Sequence, residues 1–197
     1  EGNKTLKELN LRENAVGDEG AKAIGKALEG NETLKELNLR ENAFGDEGAK
    51  AIGKALEGNA TMDKIVLPNF TWERHSVTWQ LTEKRLTDND MLVVALLLPN
   101  MTAVSTLSLA SNQLGEKGVD YLSEAMSNIK LLKTLDMANN VLRNEGAKGI
   151  AKLIGAENSS WTSINLSNNE IGDEGAKAIG AALEGNETLK ELNLSEN

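Results

Sequence analysis

The chain has 197 residues, a formal net charge of −9, and 40% hydrophobic but only 3% aromatic residues. It has no cysteine, which excludes disulfides, thiolate metal sites and cysteine nucleophiles, and we expect an intracellular protein. An acidic chain without a run of Lys or Arg repels phosphate backbones, so nucleic acid is not an expected partner. The longest apolar stretch, Met91–Pro99, is too short to span a bilayer, so we expect no membrane partner.

The first predicted element is a strand within the block Leu-Lys-Glu-Leu-Asn-Leu-Arg-Glu-Asn, which occurs unchanged at residues 6–14 and 34–42. The block returns at 189–197 with Ser195 in place of Arg. Its leucines alternate with polar residues, which predicts inward leucines and outward polar side chains. Asn14 follows the strand, where its amide can bond the backbone of the neighbouring turn. We expect a ladder of such Asn residues along the array.

A helix follows each strand. Asp18 is the predicted N-cap, Ala21, Ile24 and Leu28 have helical spacing, and Gly30 is a natural residue to end the helix. One strand and one helix cannot bury their apolar sides alone, so the repeats must stack. The predicted fold is an α/β solenoid with a curved parallel sheet on its concave face and helices on its convex face.

The register can be followed along the whole chain. Most repeats are 28 residues long, one is 29, and one is 14. Strands are predicted to begin at Leu6, Leu34, Met62, Ser76, Val104, Leu132, Trp161 and Leu189. Helices are predicted near 18–29, 46–57, 88–98, 116–127, 144–155 and 173–184.

The pattern after the strand, NxLxxxGxxxLxxxL, is clearest from Asn112 through Leu114, Gly118 and Leu122 to Met126. With its period of 28–29 residues, it resembles the ribonuclease-inhibitor-like class of leucine-rich repeats. The resemblance covers nearly the whole chain and implies the fold. Members of this class include nuclease inhibitors, Ran GTPase activators and the sensor arms of NOD-like receptors, so the resemblance alone does not choose a function.

The repeats differ in how closely they copy one another. We predict a single solenoid over 1–197, with near-identical repeats at 1–59 and a consensus repeat at 171–197. Between them lie an irregular short repeat without its helix at 60–87 and divergent repeats at 88–170. Two origins fit this pattern: a natural array with recently duplicated outer repeats, or an engineered array with consensus repeats around a natural middle.

The 14-residue step from Met62 to Ser76 is the main irregularity. A helix in register would need apolar residues at 77, 80, 83 and 84, and three of these four are polar or charged. We favour a short extended return through residues 68–75. The alternatives are an antiparallel hairpin between the two strands and a split of the solenoid into two blocks. Phe70 and Lys84 occupy the two ladder positions here.

Two of the three tryptophans and the single histidine lie near this step. Trp72, Trp79 and Trp161 fall at core positions of the register, although the irregular connector keeps Trp72 a candidate contact residue. His75 is interpreted as a surface residue of the connector and not as a catalytic base. No His, Cys or carboxylate cluster has metal-ligand spacing, so we expect neither a metal nor another cofactor.

The outward face of the middle strands is the predicted binding surface, because its side chains are small and nearly neutral. We expect a non-catalytic module that binds another protein or serves as a scaffold. The alternatives are a GTPase activator resembling the Ran-specific one and an engineered or purely structural array, with end-to-end self-association through uncapped termini. The candidate contact residues are Lys64, Val66, Trp72, His75, Thr78, Gln80, Thr82, Thr106, Ser108 and Ala110.

Overall fold

The structure is a computed structural model that describes residues 3–127, 129–157 and 159–197. Short strands alternate with helices except between Lys64 and Gln80, where three strands follow one another. Every α-helix, and every strand except Thr71–Glu73, lies within two residues of its predicted position. The strands are β1 (Glu8–Asn10), β2 (Glu36–Asn38), β3 (Lys64–Val66), β4 (Thr71–Glu73), β5 (Thr78–Gln80), β6 (Thr106–Ser108), β7 (Thr134–Asp136), β8 (Ser163–Asn165) and β9 (Glu191–Asn193). The α-helices are α1 (Asp18–Leu28), α2 (Asp46–Ala55), α3 (Asp88–Leu97), α4 (Glu116–Ser127), α5 (Arg143–Ile154) and α6 (Asp173–Leu183).

The chain divides into two compact units. The first contains the residues up to Ser76 together with Leu96–Thr102, and the second contains Val77–Ala95 and Ala103–Asn197. The first unit holds a four-stranded sheet in the order β1-β2-β3-β4, and the second holds a five-stranded sheet in the order β5-β6-β7-β8-β9. Every pair is parallel except β3 with β4. A single solenoid over the whole chain stays a prediction.

The core consists of the inward positions of the repeat. Leu37, Leu107 and Leu135 are at most 1% exposed, and helix residues such as Ala21 and Ile150 are fully buried. The three tryptophans are at most 4% exposed, which confirms their predicted core positions. Aliphatic side chains at repeated positions therefore supply most of the apolar burial that stabilises each unit.

The Asn ladder is confirmed except at Asn14, whose amide donates to the carbonyls of its own turn. The Asn140 side chain donates to the Leu109 carbonyl at 3.1 Å and to the Met137 carbonyl at 3.0 Å, and its Oδ1 accepts from the Leu114 N–H at 3.0 Å. One amide thus satisfies backbone groups of two neighbouring repeats, which matters because a buried polar group without a partner is costly. The same pattern recurs at Asn42, Asn112, Asn169 and Asn197.

The predicted N-cap role of Asp18 is wrong. Gly17 is the N-cap of α1, and no side chain caps it there. The Asp18 carboxylate instead accepts from the backbone N–H groups of Gly45 at 2.8 Å and Gly48 at 3.0 Å, at the start of the next helix. Asn144 makes the same bonds to the start of α6. The stacking brings each of these helix starts beside its neighbour, and a side chain in the first turn reaches across.

The short repeat contains a strand that the register did not predict. Thr71–Glu73 runs antiparallel to Lys64–Val66, with Ile65 opposite Trp72. The connector is therefore extended, as the favoured alternative required, and it pairs with β3 as a hairpin closed around residues 67–70. The hairpin alternative paired the strand at Met62 with the strand at Ser76. It is wrong, because the second of these strands, β5, pairs with β6 in the other sheet. The alternative of a split into two blocks agrees with the two sheets and the two compact units.

Candidate functional site

The strands position the candidate surface by alternation. In each strand the middle residue is directed into the core, so the flanking residues form the outward sheet face. In the second unit the parallel register sets these residues in rows, with Thr78, Thr106, Thr134, Ser163 and Glu191 side by side. A second row contains Gln80, Ser108, Asp136, Asn165 and Asn193. Five strands, β5 to β9, thus contribute adjacent side chains to one surface.

Six predicted contact residues lie in the second unit. Thr78 and Gln80 are exposed, and Thr82 and Thr106 are partly exposed. Ser108 and Ala110 are buried, with 8% and 7% exposure, so their prediction as exposed contacts is wrong. Both are short side chains, at the end of β6 and two residues beyond it, and they stay close to the backbone of the sheet. They form the floor of the face, where a partner would meet them only after contacting the residues around them.

The other four predicted contacts lie in the first unit, where Lys64 and Val66 are partly exposed. Lys64 pairs with Glu73 across the β3–β4 hairpin, with 2.8 Å between Nζ and Oε1. This hydrogen bond raises the pKa of Lys64 and lowers the pKa of Glu73. The Lys64 charge is therefore already balanced within the sheet. A shallow depression of about 190 Å³ lies beside it on the outward face, between the β1, β2 and β3 side chains.

Trp72 is not a surface contact. It is 1% exposed, and its Nε1 donates to the Leu97 carbonyl at 3.1 Å. The period-2 alternation of β4 directs it inward opposite Ile65. Its inclusion among the contact residues was therefore wrong, and its predicted core position was right.

His75 lies on the surface, as predicted, with 69% of its side chain exposed. Its Nδ1 is 2.8 Å from the Thr102 hydroxyl, and its Nε2 is 3.7 Å from Oδ1 of Asp63. Lys35 also contacts Asp63, at 3.2 Å. The four side chains form a solvated polar cluster in the first unit.

Arg74 is the residue that sequence reasoning missed. It is only 7% exposed, and its guanidinium donates to the carbonyls of Met62 at 2.7 Å, Asn59 at 2.6 Å and Asn100 at 3.2 Å. It also lies 5.5 Å from the centre of the Trp72 ring. Burial lowers the pKa of Arg74, and Asp63 partly opposes this. The available signal was the alternation of Phe70, Trp72 and Arg74, which sets all three on one inward face.

In the part of the chain that the structure describes, no three His, Asp or Glu side chains come close enough together to hold a metal ion. Among the described helices, none is both long and apolar enough to cross a bilayer.

The chain was compared with protein families, curated proteins and solved structures. A family model described as "Leucine Rich repeat" matches residues 2–25, 30–53, 129–151 and 157–180. A human protein, "NACHT, LRR and PYD domains-containing protein 13", is 31% identical over 114 residues, which make up 57% of this chain and 11% of that protein. The chain therefore spans only a small part of that relative's length.

Among solved structures, the "Leiomodin-1 Actin-Binding Site 2 (ABS2)" superposes with a TM-score of 0.52 at 16% identity. The match covers 60% of this chain and 69% of that structure. The likeness concerns the fold alone, and it agrees with the alternation of parallel strands and helices in each unit. The four family matches show that the chain is built from leucine-rich repeats.

Proposed function

We propose that the chain is a non-catalytic module that binds another protein through the outward sheet face of its second unit. One observation carries the proposal. The outward positions of the central strands depart from the consensus repeat, while the inward positions keep the same kind of residue. Core packing constrains the inward residues only, so the outward residues can vary to suit a binding partner.

The contrast between repeats is clear when the same positions are compared. The first repeat presents Glu8, Asn10 and Arg12 outward, whereas β6 and its next outward residue present Thr106, Ser108 and Ala110. Leu107 and Leu109 between them remain fully buried. Interface centres are depleted of charge, and short side chains let a partner approach the strands closely.

The comparisons support this proposal in general terms. The leiomodin segment is named as an actin-binding site, so a similar repeat fold occurs in a protein-binding segment. At 16% identity the likeness does not transfer actin to this chain. The GTPase-activator alternative gains no support from the comparisons, and we do not propose it.

The test is capture of partners from a cell lysate with the full chain and two matched double variants. Thr106→Arg with Thr134→Arg places bulky charges on the proposed face. Asp120→Arg with Ser127→Arg places them on exposed positions of α4 instead. We expect the face variant to lose the captured proteins and the helix variant to keep them. Equal retention by both variants would contradict the proposal, provided that circular dichroism shows both to be folded.

The first unit offers separate candidates in Lys64, Val66 and His75. Lys64→Glu with Val66→Glu tests them, and we expect a smaller loss of captured protein than from the face variant. Lys64 already has a partner in Glu73, which reduces what it can offer to another protein. An intracellular location and end-to-end self-association stay predictions. Light scattering over a range of protein concentrations tests the second.

A further inference from the structure

We propose that Asp136 anchors an arginine side chain of the partner protein. This inference rests on the proposed function, because it names the chemistry of the partner for the same outward face. It concerns the central strands β6, β7 and β8 of the second unit.

Asp136 is the one charged side chain on the outward face of these three strands. Its carboxylate is partly exposed in the middle of the row. Among the described residues, its polar partner is the backbone N–H of Ala138, at 3.2 Å from Oδ1. The other outward residues are uncharged: Thr106, Ser108, Ala110, Thr134, Ala138, Ser163, Asn165 and Ser167.

The hydrogen bond to Ala138 does not need a charge. Four other repeats make the same bond, from the side-chain oxygen to the N–H two residues later, with a neutral Asn. Their distances are 3.0 Å at Asn10, 3.1 Å at Asn38, 3.2 Å at Asn165 and 3.0 Å at Asn193. The Asp136 charge therefore exceeds what the local structure requires, and its Oδ2 remains available to a ligand.

The neighbours of Asp136 favour a guanidinium over an ammonium group. Ser108 and Asn165 lie directly beside it in the register, so three side chains with acceptor oxygens follow one another across the strands. Adjacent strands are about 4.8 Å apart, a spacing that a planar group with five N–H donors can bridge. On the next row, Ala110 and Ala138 are small, so neither obstructs an aliphatic chain that lies over them. Arginine meets both conditions, whereas lysine offers a single compact charge.

The experiment uses the full chain labelled with ¹⁵N and two small probes. N-acetyl-arginine amide carries the guanidinium, and N-acetyl-citrulline amide has nearly the same shape without the charge. We expect the arginine probe to shift the amide resonances of Asp136, Ala138 and Asn165, with an affinity about fivefold or more above that of citrulline. The Asp136→Asn variant should abolish this difference.

The Asp136→Asn variant is expected to fold, because Asn makes the same bond in four other repeats. Glu191→Gln is the matched control, since it removes a carboxylate from the same face at the last strand. It should leave the arginine preference unchanged.

The inference is overturned if citrulline binds as tightly as arginine, if Asp136→Asn keeps the preference, or if the shifts spread over the acidic surface without a centre at Asp136. Failure here is distinguishable from failure of the proposed function. The capture experiment reads the whole face through bound proteins, so it can succeed even if Asp136 shows no preference for arginine.

Discussion

The regular repeat at residues 34–59 and the short repeat that follows it satisfy their backbone carbonyls in different ways. In the regular repeat, an Asn side chain bonds the turn of the repeat before it, as Asn59 does to the Asn31 carbonyl at 3.0 Å. In the short repeat, Arg74 alone donates to three carbonyls, those of Asn59, Met62 and Asn100. The regular repeat spreads its polar contacts over several amides, whereas the short repeat concentrates them in one guanidinium.

The difference shows what a repeat needs when it has no helix. The β3–β4 hairpin supplies backbone pairing, and Trp72 supplies buried apolar surface. The carbonyls that remain require a donor that is long and has several N–H groups, which arginine provides. A carbonyl without a protein donor costs little only where water can bond it. Arg74 is almost fully buried, so its guanidinium and not water supplies these hydrogen bonds.

The strongest test of this comparison is Arg74→Leu. The variant leaves three carbonyls without their donor, and we expect a loss of about 3 kcal/mol or more in the free energy of unfolding. Urea denaturation followed by circular dichroism measures it. Arg74→Lys should recover part of the loss, because an ammonium group can reach fewer of these oxygens. Arg40→Leu, at an exposed arginine, should change the free energy by less than about 0.5 kcal/mol, and an equal effect at both sites would contradict the special role of Arg74.

The second test concerns the regular repeats. Asn140→Ala removes a buried amide that bonds two neighbouring repeats, and we expect a loss of about 2 kcal/mol in the free energy of unfolding. Asn14→Ala is the control, because Asn14 is exposed and its amide donates to the carbonyls of its own turn. If both variants lost the same free energy of unfolding, the hydrogen bonds between repeats would not be the source of the stabilisation.

A smaller effect is expected at the helix starts. Asp18→Ala leaves the N–H groups of Gly45 and Gly48 without their acceptor, which should cost about 1 kcal/mol in thermal or urea unfolding. Asp18→Asn should be nearly neutral, because Asn144 makes the same bonds with an amide. If Asn were as damaging as Ala, the carboxylate charge and not the hydrogen bond would be the stabilising feature.

The smallest effect concerns the Lys64–Glu73 pair of the hairpin. Because the pKa of Glu73 is lowered in the folded chain, its stabilisation is present above the ordinary Glu pKa and is lost as the pH falls through the lowered value. Both side chains are at least 40% exposed, so solvent screening limits the contribution to less than about 0.5 kcal/mol. Denaturation of the wild-type chain and of Glu73→Gln should differ near neutral pH and converge in acid. A difference that grew in acid would contradict this sign.

Much of the fold follows from the repeat pattern, because alternate leucines and helical spacing each have one way to bury their apolar side. Leu37, Leu107 and Trp161 are buried as their positions predicted. The candidate surface was less predictable. Ser108 and Ala110 have outward positions and are nevertheless buried, so alternation alone does not determine exposure. Asp18 shows the same limit, since its partners lie in another repeat.

The sequence by itself determined the repeat length, the order of strands and helices, the inward residues and the Asn ladder. These features depend on the local spacing of apolar residues, which recurs from one repeat to the next. Only the tertiary structure decided that Thr71–Glu73 forms an antiparallel strand, that Asp18 bonds the start of the next helix, and that Arg74 bonds three carbonyls. Each of these depends on partners that the repeat pattern does not specify and that meet only when the chain has folded.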